Sequence, residues 1–266
     1  MASSAPVGRR QRSLDASPWL PTYGWLPRTE EFAVTVVLTT YQAATKARGR
    51  LARKEATFGF VLRGYDGSNR PLWEHDVGTL QFGEQRAIRL ADLQLPQPAR
   101  IEGGILEVHA MHLHRPPTPR APYQHMWIDG RGVAGGGYLI PTIPIRGATK
   151  RVRRDDLQVI PGAICTRGTD TEILVLNPVD VATEVELEAV SADGLTAAAE
   201  LFVIEPWSSW RSLLSDSVPR ARKLFAPAGG LGSVQLRSSH KTLPYFGFRV
   251  GDDPLTSLDH AAPIFA

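Results

Sequence analysis

The chain has 266 residues, 42% of them hydrophobic and 21% charged, the balance of a folded globular protein and not of a disordered one. Its formal charge of +3, with a sequence pI of about 9.2, describes a mildly basic surface and not a dedicated polyanion binder. A single cysteine, Cys165, excludes an intrachain disulfide framework and fits a reducing compartment, and no stretch approaches the roughly 20 apolar residues that span a bilayer.

Residues 1–18 read as a disordered leader whose notable charges are Arg9, Arg10 and Arg12. No apolar segment follows it, so a cytoplasmic location is expected over secretion. Trp19 to Pro27 is aromatic and proline-rich and reads as an extended segment packed across the first module. Glu31 to Thr40 is rich in β-branched residues and begins the first firm strand. Tyr41 to Ala56 is an insertion: Ala43, Ala44, Ala47, Leu51 and Ala52 fit one side of a short helix, with Lys46, Arg48, Arg50, Arg53 and Lys54 on the other. Gly49 interrupts it at a cost of about 1 kcal/mol relative to Ala, so a mobile basic loop fits equally well.

Further short strands are expected at Phe58–Arg63, Gly78–Phe82, Arg86–Leu90, Ile105–His114 and Tyr123–Ile128. The stretch Gly130 to Pro161 is rich in Gly, Pro and Arg, and reads as an ordered crossover because Ile140, Ile143 and Ile145 give it apolar groups to bury. Beyond it, strands are expected at Thr171–Leu176, Thr183–Val190, Glu200–Ile204, Trp210–Leu214, Ser233–Arg237 and Tyr245–Val250. Thr183 to Val190 alternates cleanly, with Val185, Leu187 and Ala189 on one face and Glu184, Glu186 and Glu188 on the other. That is a strand with one wet side.

The two halves repeat. Asp66-Gly67 matches Asp193-Gly194, Asp92-Leu93 matches Asp216-Ser217, and Pro122-Tyr123 matches Pro244-Tyr245, at offsets of 127, 124 and 122 residues. Order is kept and the offset drifts only through loop length, as a duplication requires. With 24 Gly and 21 Pro to make turns, the expected fold is all-β. It comprises two tandem immunoglobulin-like or jelly-roll-like β-sandwich modules, at 19–129 and 162–266, joined by the crossover 130–161.

Four of the seven histidines are His109, His112, His114 and His125. If the strands around them pair as a hairpin with His114 opposite Tyr123, His112 falls opposite His125. His112, His114 and His125 then share a face and would converge on one divalent metal ion. A loop of eight residues, Arg115 to Pro122, does not fix that register, and a slip of one residue would send His125 to the other face. Asp129 to Gly137 is glycine-rich but lacks the Lys-Ser or Lys-Thr pair and helix of a phosphate-binding loop, so a tight turn between modules explains it better.

No Gly-x-Ser-x-Gly elbow is present, and Cys165 has no histidine near it in sequence to activate it. The basic clusters accompany no nucleic-acid-binding motif, so nucleic acid is not the expected partner. Six tryptophans leave a carbohydrate-binding module as a further alternative, since indoles exposed on a sandwich face stack on sugar rings.

The run Glu172-Ile173-Leu174-Val175-Leu176-Asn177-Pro178, the alternating Glu184 to Val190, Asp193-Gly194 and Ile204-Glu205-Pro206 resemble the soluble sensory rhodopsin transducer family of bacterial β-sandwich proteins. The resemblance covers half of each module. It implies a cytoplasmic oligomer that acts through protein contacts, without catalysis. The chain departs from that family in being doubled, in the Tyr41 to Ala56 insertion and in its histidine-bearing hairpin.

The expected function is therefore a non-enzymatic structural or adaptor subunit in a homo-oligomer or larger complex, with protein partners held by sheet faces and loops. Candidate contact residues are Lys46, Arg48, Arg50, Arg53 and Lys54, and Arg115, Pro116, Pro117 and Arg120 at the hairpin tip. The competing readings are a metal-binding protein or metal-dependent enzyme using the histidines, and the carbohydrate module.

Overall fold

The computed structural model describes residues 21–40, 57–81, 83–100, 102–112, 126–132, 137–141, 143–144, 157–251, 258–260 and 262–264. These form two β-sandwiches of one topology. The first contains β1 (Thr22–Leu26), β2 (Phe32–Thr39), β3 (Thr57–Tyr65), β4 (Trp73–Gln81), β5 (Gln85–Arg89), β6 (Gly104–His112), β7 (Met126–Gly132), β8 (Gly137–Pro141) and β9 (Ile143–Pro144). The second contains β10 (Leu157–Ile164), β11 (Thr169–Asn177), β12 (Thr183–Ser191), β13 (Ala197–Ile204), β14 (Ser208–Leu213), β15 (Leu231–Ser238), β16 (Leu243–Val250), β17 (Leu258–His260) and β18 (Ala262–Ile264).

The five-stranded sheet of the first sandwich runs β4-β3-β6-β1-β9, and that of the second runs β13-β12-β15-β10-β18. The four-stranded sheets run β5-β2-β7-β8 and β14-β11-β16-β17. Each strand of the second sandwich thus holds the place of the strand nine earlier in the chain. The same architecture is used twice.

The turn after β3 and the turn after β12 illustrate why the two copies share Asp-Gly. Gly67 and Gly194 have φ of +78° and +74°, a left-handed conformation that glycine adopts without a steric penalty. Asp66 and Asp193 brace these turns by accepting from the backbone N–H of Ala99 and Leu195 respectively.

The first sandwich takes in more of the chain than composition suggests. β7 continues to Gly132, β8 pairs with it, and β9 pairs with β1, so the first sheets extend to Pro144. β10 likewise draws residues 157–161 into the second sandwich. Glycine and proline interrupt these segments, yet short strands form because each finds a neighbour to complete its backbone hydrogen bonds.

The second sandwich buries Ile160, Ile173, Val175, Val185, Leu187, Ala189, Val234 and Leu236 between its sheets. Two short helices, Leu214–Ser217 and Ala221–Phe225, close its end with Leu214, Ala221 and Phe225. β11 is buried continuously from Asp170 to Asn177. Ile173 and Val175 face its own core, whereas Leu174 and Leu176, with Leu243, Tyr245 and Leu258, join the apolar cluster of the first sandwich. The four-stranded sheet of the second module is therefore covered on both sides. This is why its central strand reads as an unbroken apolar run.

Polar contacts fix the same junction. Trp207 lies at φ +51°, and its ring stacks on Tyr65 with centroids 4.4 Å apart and faces Tyr23 at 6.1 Å. The Gly67 N–H donates to its carbonyl at 2.9 Å. The Ser209 hydroxyl donates to the Gly103 carbonyl at 2.9 Å. Arg211 donates to Glu31 of the first sandwich at 2.6 Å and to Glu172 of the second. Its guanidinium lies 5.2 Å from the Trp25 ring centroid. Arg249 reaches the same Glu172 carboxylate at 3.1 Å and 3.3 Å.

Candidate functional site

The two five-stranded sheets end in edge strands that occupy equivalent positions, β4 and β13, but are finished differently. A strand edge exposes unpaired N–H and C=O groups and is an invitation to pair unless something blocks it. β4 is blocked. Its register breaks between the pairs Phe60–Gly78 and Val61–Asp76, which leaves Val77 as a bulge, and Gly78 takes φ +86°. Arg86 donates to the carbonyls of Val77 at 2.7 Å and Thr79 at 3.3 Å, and the Gly78 N–H donates to the Asp76 carboxylate at 2.9 Å.

Among the described residues β13 has neither a bulge nor a side chain on its outer carbonyls, and the charge it carries is Glu200 on the Ala198–Phe202 face. It pairs with β12 in unbroken register from Thr183–Ile204 to Val190–Ala197. Among the described residues no side chain hydrogen-bonds the backbone between Ala197 and Val203, and the sequence there holds neither proline nor lysine. Its outer face shows Leu201 at 68% and Val203 at 54% exposure, with Leu195 at 85% in the preceding turn. Leu201 and Val203 are large apolar groups left in water beside open backbone.

The neighbouring strand gives this edge a sign. Glu184, Glu186 and Glu188 of β12 lie opposite Val203, Leu201 and Ala199 on the outer face, because Val185, Leu187 and Ala189 take the core. Arg237 of β15 bridges Glu188 at 3.0 Å and Glu186 at 3.5 Å and answers part of that charge. Residues 168–210 contain nine carboxylates and no Lys, Arg or His. Since the whole chain is +3, the remainder carries a formal +12. The sequence therefore held the signal for this site in a charge asymmetry that whole-chain counts average away.

Lys46, Arg48, Arg50, Arg53, Lys54, His114, Arg115, Pro116, Pro117, Arg120 and His125 lie outside the described residues. His112 ends β6, opposite Phe58 of β3. The expected hairpin between the histidine-bearing strands is corrected: β6 pairs with β3 and β1, whereas β7 pairs with β2 and β8 in the other sheet. The chain changes sheets between β6 and β7, and the position of His125 relative to His112 lies outside the described residues. Among the described residues no group of three or more His, Cys, Asp or Glu is placed to hold a metal ion.

His109 is instead part of a closed polar cluster on the β1–β6–β3 face. Its Nε2 lies 2.7 Å from the Glu107 carboxylate, which also accepts from Arg63 at 3.2 Å; Arg63 donates to Glu74 at 2.8 Å. The Tyr23 hydroxyl adds a hydrogen bond to Glu107, and burial first, then that carboxylate, raises the phenol pKa. Tyr23, Arg63, Tyr65, Glu107 and His109 are all buried. The arrangement locks strands together under Trp207.

Trp25 and Trp73 are buried, while Trp207 and Trp210 are half-buried and stacked on Tyr65 and Phe202. The indoles placed here serve packing. Cys165 is fully buried beside Asp170, and burial first, with the Asp170 charge, pushes its thiol up to about 11. It is not a poised nucleophile.

No protein-family model matches the chain, and no curated protein matches it. Among solved structures it overlaps weakly with a glycosyl hydrolase family 2 member from Bacteroides cellulosilyticus, at 10% identity and a TM-score of 0.23 over 92% of this chain and 26% of that one. A β-glucuronidase of Bacteroides uniformis gives 9% identity and 0.19 over 90% and 25%. The chain spans about a quarter of the length of these proteins. Scores this low carry no argument about its fold or activity. The class rests on the strands themselves: a duplicated, all-β, two-sandwich protein. Among the described residues no helix is long and apolar enough to cross a membrane.

Proposed function

We propose that the chain is a non-enzymatic structural or adaptor subunit that holds a protein partner on its β-sandwich surface. The observation that carries this reading is the contrast between β4, whose edge carbonyls are occupied by Arg86, and β13, whose outer backbone meets no partner among the described residues beside exposed Leu201 and Val203. Edges of this kind are usually blunted in monomeric proteins. An edge left open beside one that is closed, in two copies of one fold, is a surface kept for pairing. The junction around Trp207 and Arg211 supports the scaffold role, because it holds the two sandwiches in one relation.

The test is to purify tagged chain and its Val203→Lys variant from the native host. Val203 is exposed, so the variant folds. The reading predicts protein partners that accompany the wild type in fixed ratio and are lost from the variant. Equal recovery of the same partners with both, or turnover of a substrate by the purified chain, would overturn it.

A further inference from the structure

We infer that β13 accepts an extended partner segment in which basic and apolar side chains alternate, added as a sixth strand to the β13-β12-β15-β10-β18 sheet. This rests on the adaptor reading and names the chemistry of its partner. Strand addition at an open edge draws its affinity from main-chain hydrogen bonds and its selectivity from alternate side chains. The two faces of β13 ask for different ones.

On the inner face Phe202 and Ala198 are only partly buried and pack against the second core, with exposed Glu200 between them. An apolar residue arriving beside Phe202 or Ala198 would extend that core by one strand, and one facing Glu200 would meet its carboxylate. On the outer face Leu201, Val203 and Ala199 stand between the added strand and the carboxylates of Glu184, Glu186 and Glu188. A new strand lies about 4.8 Å from β13 and so about 10 Å from that acidic row. Lysine or arginine spans such a gap with its aliphatic stem along apolar surface and its charge at the far end. The stem covers Leu201 and Val203, and Ala199 leaves room for the head to reach Glu188 and Glu186. The Glu186 side chain, 43% exposed, retains free carboxylate surface beyond its contact with Arg237.

A second copy of the chain fits less well. β13 itself reads Ala-Ala-Ala-Glu-Leu-Phe-Val-Ile and offers no cation, and two-fold pairing would bring a second hairpin of residues 180–205, with seven carboxylates and no basic group, to the same edge. Like charge at close quarters opposes that pairing.

The experiment titrates the full chain with three ten-residue peptides: one alternating lysine and valine, one of the same composition scrambled, and one alternating glutamate and valine. Binding is read by fluorescence anisotropy, and the chain's oligomeric state by sedimentation. The lysine–valine peptide is expected to bind at least tenfold tighter than either control. Affinity should fall at least tenfold in Val203→Lys and in Glu186→Lys, and should weaken as salt rises from 50 to 200 mM, as charge contacts do.

Equal binding of the scrambled peptide would reduce the effect to diffuse charge and overturn the proposal. So would salt-independent binding, or a dimer that Val203→Lys dissolves, which would make a second copy the occupant. If no peptide binds while Val203→Lys still sheds the host partners, the basic strand is wrong and the adaptor reading stands. If neither is seen, both fall.

Discussion

Arg211 holds carboxylates from two different sandwiches and lies over Trp25, so its removal leaves Glu172, 2% exposed, with Arg249 as its remaining charged partner among the described residues. Breaking a buried pair by deleting one member costs about 3–5 kcal/mol, while replacing both by apolar groups is often close to neutral. Arg211→Met should therefore lower unfolding free energy in urea by about that amount, and Arg211→Met with Glu172→Leu should recover most of it. A second prediction concerns Cys165. Its thiol is raised to about 11 in the folded chain against about 8.5 when exposed. A raised folded pKa gives stability that is complete below the unfolded value and is lost as pH climbs through the folded one. Stability should thus fall between about pH 8.5 and 11 by roughly 3 kcal/mol on this account, and Cys165→Ala should flatten that interval. Thiol reagents at neutral pH should label Cys165 only after denaturant is added.

Among the elements, β11 shows how much the sequence could reveal. The run Ile173 to Leu176 announced a strand, and its lack of alternation is now explained by burial on both faces. Leu174 faces the first sandwich, so Leu174→Ala should cost about 2–5 kcal/mol, measurable by thermal unfolding. It should also loosen the Tyr65–Trp207 contact, seen as altered indole fluorescence. β12 was legible because one of its faces is wet. β6 and β7 were legible as strands but not as partners: period-two alternation reports which face is buried, not which sheet a strand joins. Chain proximity favoured a hairpin, and a sandwich instead sends these consecutive strands to opposite sheets. β1, β8, β9 and β10 were missed or blurred because glycine and proline mask short pairing segments. The β13 edge was not legible for another reason. An open edge is defined by what does not pair with it, and only the completed sheet order reveals that absence.

At the scale of the whole molecule, duplication supplied two copies of every edge and face, and the chain then treated them unequally. One sheet of the second module was pressed against the first sandwich; one outer edge was sealed by Arg86 and its twin left open. Because the junction shares an apolar cluster and a buried ion network, the two sandwiches should unfold together. Calorimetry should give one transition with equal calorimetric and van't Hoff enthalpies, and two resolved transitions would mean that the modules are independent. Charge follows the same division, with the carboxylates of 168–210 set apart in a chain otherwise rich in cations. The claim on which function turns is that β13 is a vacant pairing edge, and amide hydrogen exchange on the full chain reads it directly. The outward-facing amides of Ala197 to Val203 should exchange rapidly in the free protein and become protected when the lysine–valine peptide is added, while β4 is unchanged. Slow exchange of those β13 amides in the free chain, or protection that appears elsewhere and not there, would contradict it.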